Sequence, residues 1–302
     1  LTPPGGRSGR EEMRCCVQPR ALATTRCAQV QARASDMRVA LVTGGNKGIG
    51  KEIARKLASN GVRTIIGSRD AKRGEVAASE LRSSTSGDVL SVPLDLTKPA
   101  TLAAAAAFVA EAGGGSLDIL VNNAAICFND PSLYGALPHP YSFAEQAPLT
   151  LETNFFGTLA LTDEMLPLLH NADSPRVVNV VSYAGRLAIL KSRTLNAAFT
   201  AEGVTRADLD ALMREFLGAV EDGTHAQAGW PGTCYGLSKL GLIAWTRAMA
   251  RDEAGVTWSA VDPGYCATDQ NMNRGTDSAA MGAATPAWLA LMDAAEAQRG
   301  SG

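Results

Sequence analysis

Short apolar runs recur along this chain, and each is followed by a stretch whose apolar positions repeat at helical spacing. Runs at 38–43, 62–66, 89–94, 117–121, 177–181 and 256–261 predict six strands. They are mostly apolar rather than alternating, which suits strands buried on both faces of a parallel sheet. Helical patterns fill the intervals at 51–59, 72–82, 101–112 and 149–169, the last with a break near Pro167. Another helix follows Tyr235. Strands alternating with helices predict an α/β fold: a doubly wound parallel sheet with helices on both faces, in a single domain over 37–302.

Composition adds few constraints and several exclusions. With 302 residues and 46% apolar content the chain can bury a substantial core. A net charge of -2 gives no reason to expect a nucleic-acid partner or an anionic membrane surface. No apolar run is long enough to cross a bilayer. Six cysteines and three histidines fall at no disulfide or ligand spacing, so no metal is expected. Residues 1–36 differ from the rest: between Met13 and Ser35 there are four arginines and no acid. That composition predicts an organelle-targeting segment, plastid first, with mitochondrion or a disordered cytoplasmic tail as alternatives.

The first strand runs into a glycine-rich turn, Thr43-Gly44-Gly45-Asn46-Lys47-Gly48-Ile49-Gly50, and then a helix. Glycines allow a close backbone approach to a pyrophosphate, and a helix N-terminus offers free N–H groups to the anion. The context predicts a Rossmann-type nucleotide site over Gly44, Asn46, Lys47, Gly48, Ile49 and Gly50. The end of the second strand indicates which nicotinamide cofactor. An acid there would bond a ribose 2′-hydroxyl and repel a 2′-phosphate. Ser68 and Arg69 stand there instead, and Lys47 adds a second cation, which favours NADPH. Asp70 is close enough in sequence to pair with Arg69.

Of five tyrosines only Tyr235 has a lysine four residues on, Lys239. On a helix the two share a face. The ammonium is expected to lower the tyrosine pKa and ease proton exchange near neutrality. Ser182 follows the fifth strand, at the ligand edge of a doubly wound sheet, where a hydroxyl can hold a carbonyl oxygen. Asn154 falls inside a predicted helix, where asparagine is a poor former, which suggests a buried polar role.

Together these residues resemble the short-chain dehydrogenase/reductase family. The matching elements are the glycine turn, Asp95-Leu96, Asn122-Asn123-Ala124, Asn154, Ser182, Tyr235-x-x-x-Lys239 and Pro263-Gly264. The 153–158 segment, Trp230-Pro231 and the long stretch at about 187–232 are closest to the monomeric NADPH carbonyl reductases of that family. The resemblance implies that Tyr235 protonates a carbonyl oxygen, Ser182 orients it, Lys239 binds the nicotinamide ribose and Asn154 positions a water. It places Asp95 and Leu96 at the adenine, Asn122 and Ala124 at the ribose, Thr268 at the carboxamide, and Pro263 and Gly264 beside the cofactor. Tyr183, Ala184, Trp230 and Tyr265 would shape the pocket for a small carbonyl or quinone substrate. A monomer is implied, because the 187–232 stretch covers a helix face.

Four positions depart from the family pattern: Ala125, Val181, Asp262 and Tyr265. Ala125 is expected to crowd the turn after the fourth strand. No apolar run follows Leu289–Met292, where the family places a last strand. That gap leaves a second reading open, a non-catalytic NADP-binding regulatory or scaffold protein on the same fold.

Overall fold

The structure, a computed structural model, describes residues 37–128 and 141–292. The candidate targeting segment at 1–36 and the tail at 293–302 lie outside the described residues. β1 (Val39–Thr43) is buried at every position and leads into α1 (Gly48–Ser59). The pattern repeats through β2 (Arg63–Ser68), α2 (Ala71–Thr85), β3 (Val89–Pro93), α3 (Pro99–Ala112) and β4 (Ile119–Asn122). All pairings are parallel, and the sheet order is β3-β2-β1-β4-β5-β6, with β5 at Arg176–Val180 and β6 at Thr257–Val261. The order reverses between β1 and β4. In such a sheet the crevice at that switch point, beyond the carboxyl ends of the strands, is where ligands bind. The expected absence of a last strand concerns residues outside the described ones; among those described, β6 is an outer strand.

Strand alternation divides the core. Val39 and Leu41 of β1 pack with Leu102, Val109, Leu159 and Met165 on one face. Ala40 and Val42 pack with Ile53, Leu57, Ala78 and Leu81 on the other. A strand read only as an apolar run therefore serves two layers, as a parallel sheet covered on both sides requires.

The predicted helix at 149–169 is corrected. It is α4 (Phe143–Leu151), a π turn (Glu152–Phe156) and α5 (Gly157–Leu169). α4 begins earlier because Ser142 and Glu145 form a capping box. The irregularity sits at Asn154, inside the π turn, and not at Pro167, which occupies the last stretch of α5 without ending it. Single π turns recur at functional sites. The long stretch at 187–232 contains α6 (Arg193–Thr200) and α7 (Arg206–Glu221), and α8 (Cys234–Asp252) follows.

Candidate active site

A cavity of about 420 Å3 opens at the switch point. Gly44, Asn46, Lys47, Gly48, Ile49 and Gly50 line one end, as do Arg69, Leu96 and Ala124. Thr43 ties the two strands at the crevice: its Oγ1 accepts from Asn123 N and Ala124 N, both at 2.9 Å. A Cβ on Gly50 would meet the Asn123 amide and lie 2.6 Å from the Gly44 carbonyl, so the turn cannot close this tightly with a larger residue. A glycine cradle at a helix N-terminus, with Lys47 and Arg69 beside it, fits a phosphorylated dinucleotide. Ala125 also lines the cavity. Its backbone is not in the positive-φ region.

The acid after Arg69 is accounted for. Asp70 caps α2, accepting from Arg73 N at 3.0 Å, and its carboxylate pairs with Arg73 rather than Arg69. The Ser68 hydroxyl donates to the Asp70 carbonyl. Arg69 therefore stands exposed at the cavity with no acid claiming it among the described residues.

Tyr235 and Lys239 line the other end. Thr233 caps α8, so Tyr235 lies in its first turn and Lys239 one turn later. The Tyr235 hydroxyl lies against the side chains of Ser182 and Gln270. Ser182 opens a short turn, Tyr183–Gly185, accepting from Ala184 N at 3.2 Å. A Cβ on Gly185 would fall 2.7 Å from Leu240 N, so only glycine lets this turn rest on α8 and bring Ser182 to Tyr235. Lys239 is almost fully buried, 2% exposed, and its Nζ donates to the Val180 carbonyl at 2.8 Å. The same Nζ lies 5.6 Å from the Tyr235 ring centroid.

Burial dominates the charges here. It pushes the Tyr235 pKa above the ordinary tyrosine value; Cys127 adds to the rise, the side chains of Ser182 and Gln270 oppose it, and Asp262 raises it further. This reverses the sequence expectation. Spacing shows the ammonium but not the desolvation of the hydroxyl. Burial likewise pulls Lys239 down to about 8.

Several expected site residues lie elsewhere. Asn122 faces a buried network, donating to Thr162 Oγ1 and Asn179 Oδ1, and its neighbour Asn123 lines the cavity instead. The Asp95 carboxylate accepts from Thr97 and pairs with Lys98, and Leu96 alone of that pair is in the wall. Asn154 is fully buried: its Oδ1 accepts from Ile126 N at 2.8 Å, and its Nδ2 donates to Ile126 O and Ser238 Oγ. It holds the loop after β4 against α8 and does not line the cavity. Pro263 and Thr268 line the cavity and Gly264 does not. Tyr183, Ala184 and Tyr265 are outside the wall, Tyr183 being 70% exposed.

Trp230 is also corrected. It is buried, with its ring edge-on to Phe216 at 5.6 Å and Phe199 at 6.4 Å, in the core under α6 and α7. Trp230→Phe is expected to cost on the order of 1–2 kcal/mol in urea unfolding. Substrate KM should move less than about twofold, because the ring does not touch the cavity; a large KM change would return Trp230 to the pocket.

Two contributors carry no signal in the sequence, and Asp262, which stands out there only as a departure from the family pattern, has a structural part. Gln270 and Asp269 line the cavity from the loop after β6 with no motif to mark them. Asp262 accepts from Tyr183 N and Gly264 N, both at 3.1 Å, and so joins the loops after β5 and β6.

Comparison with known proteins agrees with this geometry. The family model for short chain dehydrogenase matches residues 38–199. The chain is 37% identical over 286 residues to Short-chain dehydrogenase/reductase 1 of Saponaria officinalis, covering 88% of this chain and 93% of that protein. It is 37% identical over 266 residues to the NADPH carbonyl reductase 3 of Rattus norvegicus, covering 84% and 91%. Among solved structures, salutaridine reductase from Papaver somniferum superposes with a TM-score of 0.78 at 31% identity, covering 85% of this chain and 96% of that one.

Proposed function

The chain belongs to the short-chain dehydrogenase/reductase family, and on that basis we propose that it reduces a ketone, aldehyde or quinone to the alcohol or hydroquinone at the expense of NADPH. It is an oxidoreductase of the NADP(H)-using kind, as the rat relative's name also indicates of that protein. The observation that carries the proposal is the Tyr235 hydroxyl. It shares a cavity with the glycine cradle, lies against Ser182, and has Lys239 one turn away.

When bound, the dihydronicotinamide supplies hydride. The protein's part is to hold the carbonyl oxygen between Ser182 and Tyr235 and to deliver a proton from the Tyr235 oxygen. A raised tyrosine pKa keeps that proton in place across neutral pH, which suits reduction better than alcohol oxidation. Lys239 stabilises the phenolate left behind. The assay is NADPH oxidation with menadione and an aromatic ketone as acceptors. Binding of NADPH with no turnover across a broad carbonyl panel would favour the scaffold reading instead. The proposal includes a monomer: the Met213 Cε of α7 fills the space beside Gly241 on α8, covering that face. Sedimentation at twice the chain mass would overturn this part.

Arg69 and Lys47 are proposed to hold the 2′-phosphate. Arg69→Ala should lower kcat/KM for NADPH roughly tenfold or more while leaving the NADH value within about twofold, as loss of one charge-assisted contact implies. Equal losses with both cofactors would argue against this role.

A further inference from the structure

A short segment spans the cavity from its phosphate end to its catalytic end. It is the one-turn helix Asp269–Asn271 with its cap Thr268. Two adjacent side chains fasten it. Asp269 accepts from Lys47 Nζ at 3.0 Å. Gln270 lines the same cavity as Tyr235 and lies against its hydroxyl. The Thr268 side chain stands 3.4 Å from where a Cβ on Gly48 would be, so the segment rests on the glycine turn. Its root is firm: Asn271 is buried and donates to the Cys266 carbonyl at 2.8 Å. The two residues that follow, Met272 and Asn273, have φ of 54° and 58°. Two consecutive non-glycine residues in the left-handed region are strained, and methionine gains nothing there that asparagine gains.

Both fastenings use groups that the proposed reaction needs elsewhere. Lys47 is a cation for the 2′-phosphate. The Tyr235 hydroxyl is the donor for the substrate oxygen. We propose that this strap is a latch: the cofactor 2′-phosphate draws Lys47 away from Asp269, the turn swings off, and Gln270 surrenders the Tyr235 hydroxyl to the carbonyl. The inference rests on the NADPH reading of the site.

The charges favour the exchange. Lys47 and Asp269 are 59% and 66% exposed, so their pair is weak. A phosphate offers Lys47 more charge and more acceptor atoms, and it repels the Asp269 carboxylate. Differential attraction is what couples two sites. The latch makes two consequences follow. NADH, lacking the phosphate, leaves the strap fastened. A carbonyl substrate meets a free Tyr235 only after NADPH has bound.

Adenosine 2′,5′-bisphosphate is the probe, because it carries the 2′-phosphate and no nicotinamide; adenosine 5′-monophosphate is the control. Hydrogen exchange is followed in the full chain at the amides of Asn271, Met272 and Asn273, which bond within the turn at 2.9–3.3 Å. Saturating bisphosphate should speed their exchange by roughly two- to fivefold, the factor an exposed ion pair lends a local equilibrium, and the monophosphate should not. Asp269→Asn should show the faster exchange without any ligand, and bisphosphate should then add nothing. Unchanged or slowed exchange in wild type with the bisphosphate bound overturns the latch and leaves the cofactor reading intact. Wild-type exchange rates in ligand-free Asp269→Asn overturn it too. Failure of the bisphosphate to bind at all overturns both.

Discussion

Tyr235→Phe is expected to lower kcat for carbonyl reduction by roughly 100- to 10,000-fold, the range that a positioned general acid contributes. The change deletes one oxygen and keeps the ring, so the first turn of α8 and the packing of Gly185 on Leu240 persist. NADPH affinity should hold within about twofold, because the glycine turn and Arg69 are untouched. The loss therefore separates proton delivery from binding. In the wild type, burial keeps the hydroxyl protonated well above neutral pH, so the donor is charged with its proton whenever a carbonyl arrives. As hydride reaches carbon, the oxygen becomes an alkoxide, a far stronger base than a buried phenolate, and the proton moves downhill. Full turnover by the Phe variant would sink the assignment. A wild type that turns over no carbonyl would sink the activity itself.

The layout of the sheet was legible because it depends on pattern. Six apolar runs marked six strands, with bounds within two residues of those found. The pair Tyr235 and Lys239 was legible because a four-residue spacing on a helix is a statement about one face. Identity at a strand end was less so: Asn122 and Asn123 are adjacent, alternate in direction, and only the fold shows that Asn123 faces the cavity. The family resemblance puts Trp230 in the pocket. Its burial against Phe199 and Phe216 depends on α6 and α7, whose packing no local spacing encodes. Gln270 and Asp269 meet residues 35 and 222 positions away, an encounter made by topology alone. The direction of the Tyr235 pKa is not legible in the sequence for a related reason. A neighbouring charge is visible in a sequence, and loss of water is not.

Lys239→Met is expected to lower kcat/KM about 100-fold or more at neutral pH, since it removes a cation buried beside the reacting tyrosine. Methionine has nearly the same length, so it fills the space of the lysine stem and leaves the Val180 carbonyl without its donor. The pH dependence distinguishes charge from packing. Lys239 titrates at about 8 in the folded protein because burial disfavours the ammonium. In the wild type, kcat/KM for NADPH, which reports the free enzyme, should therefore fall as pH rises above about 8. The Met variant should be flat through that region. Stability runs the other way. Between about 8 and the ordinary lysine range, the unfolded chain holds a proton on this residue that the folded one has shed. Stability then rises with pH across that window, and below it the buried charge is a standing cost. Thermal unfolding from pH 7 to 10 should show that rise in wild type and a smaller one in the Met variant. If both proteins lose activity at the same alkaline pH, Lys239 is not the group that titrates, and its part in the reaction is reduced to holding the end of β5 to α8.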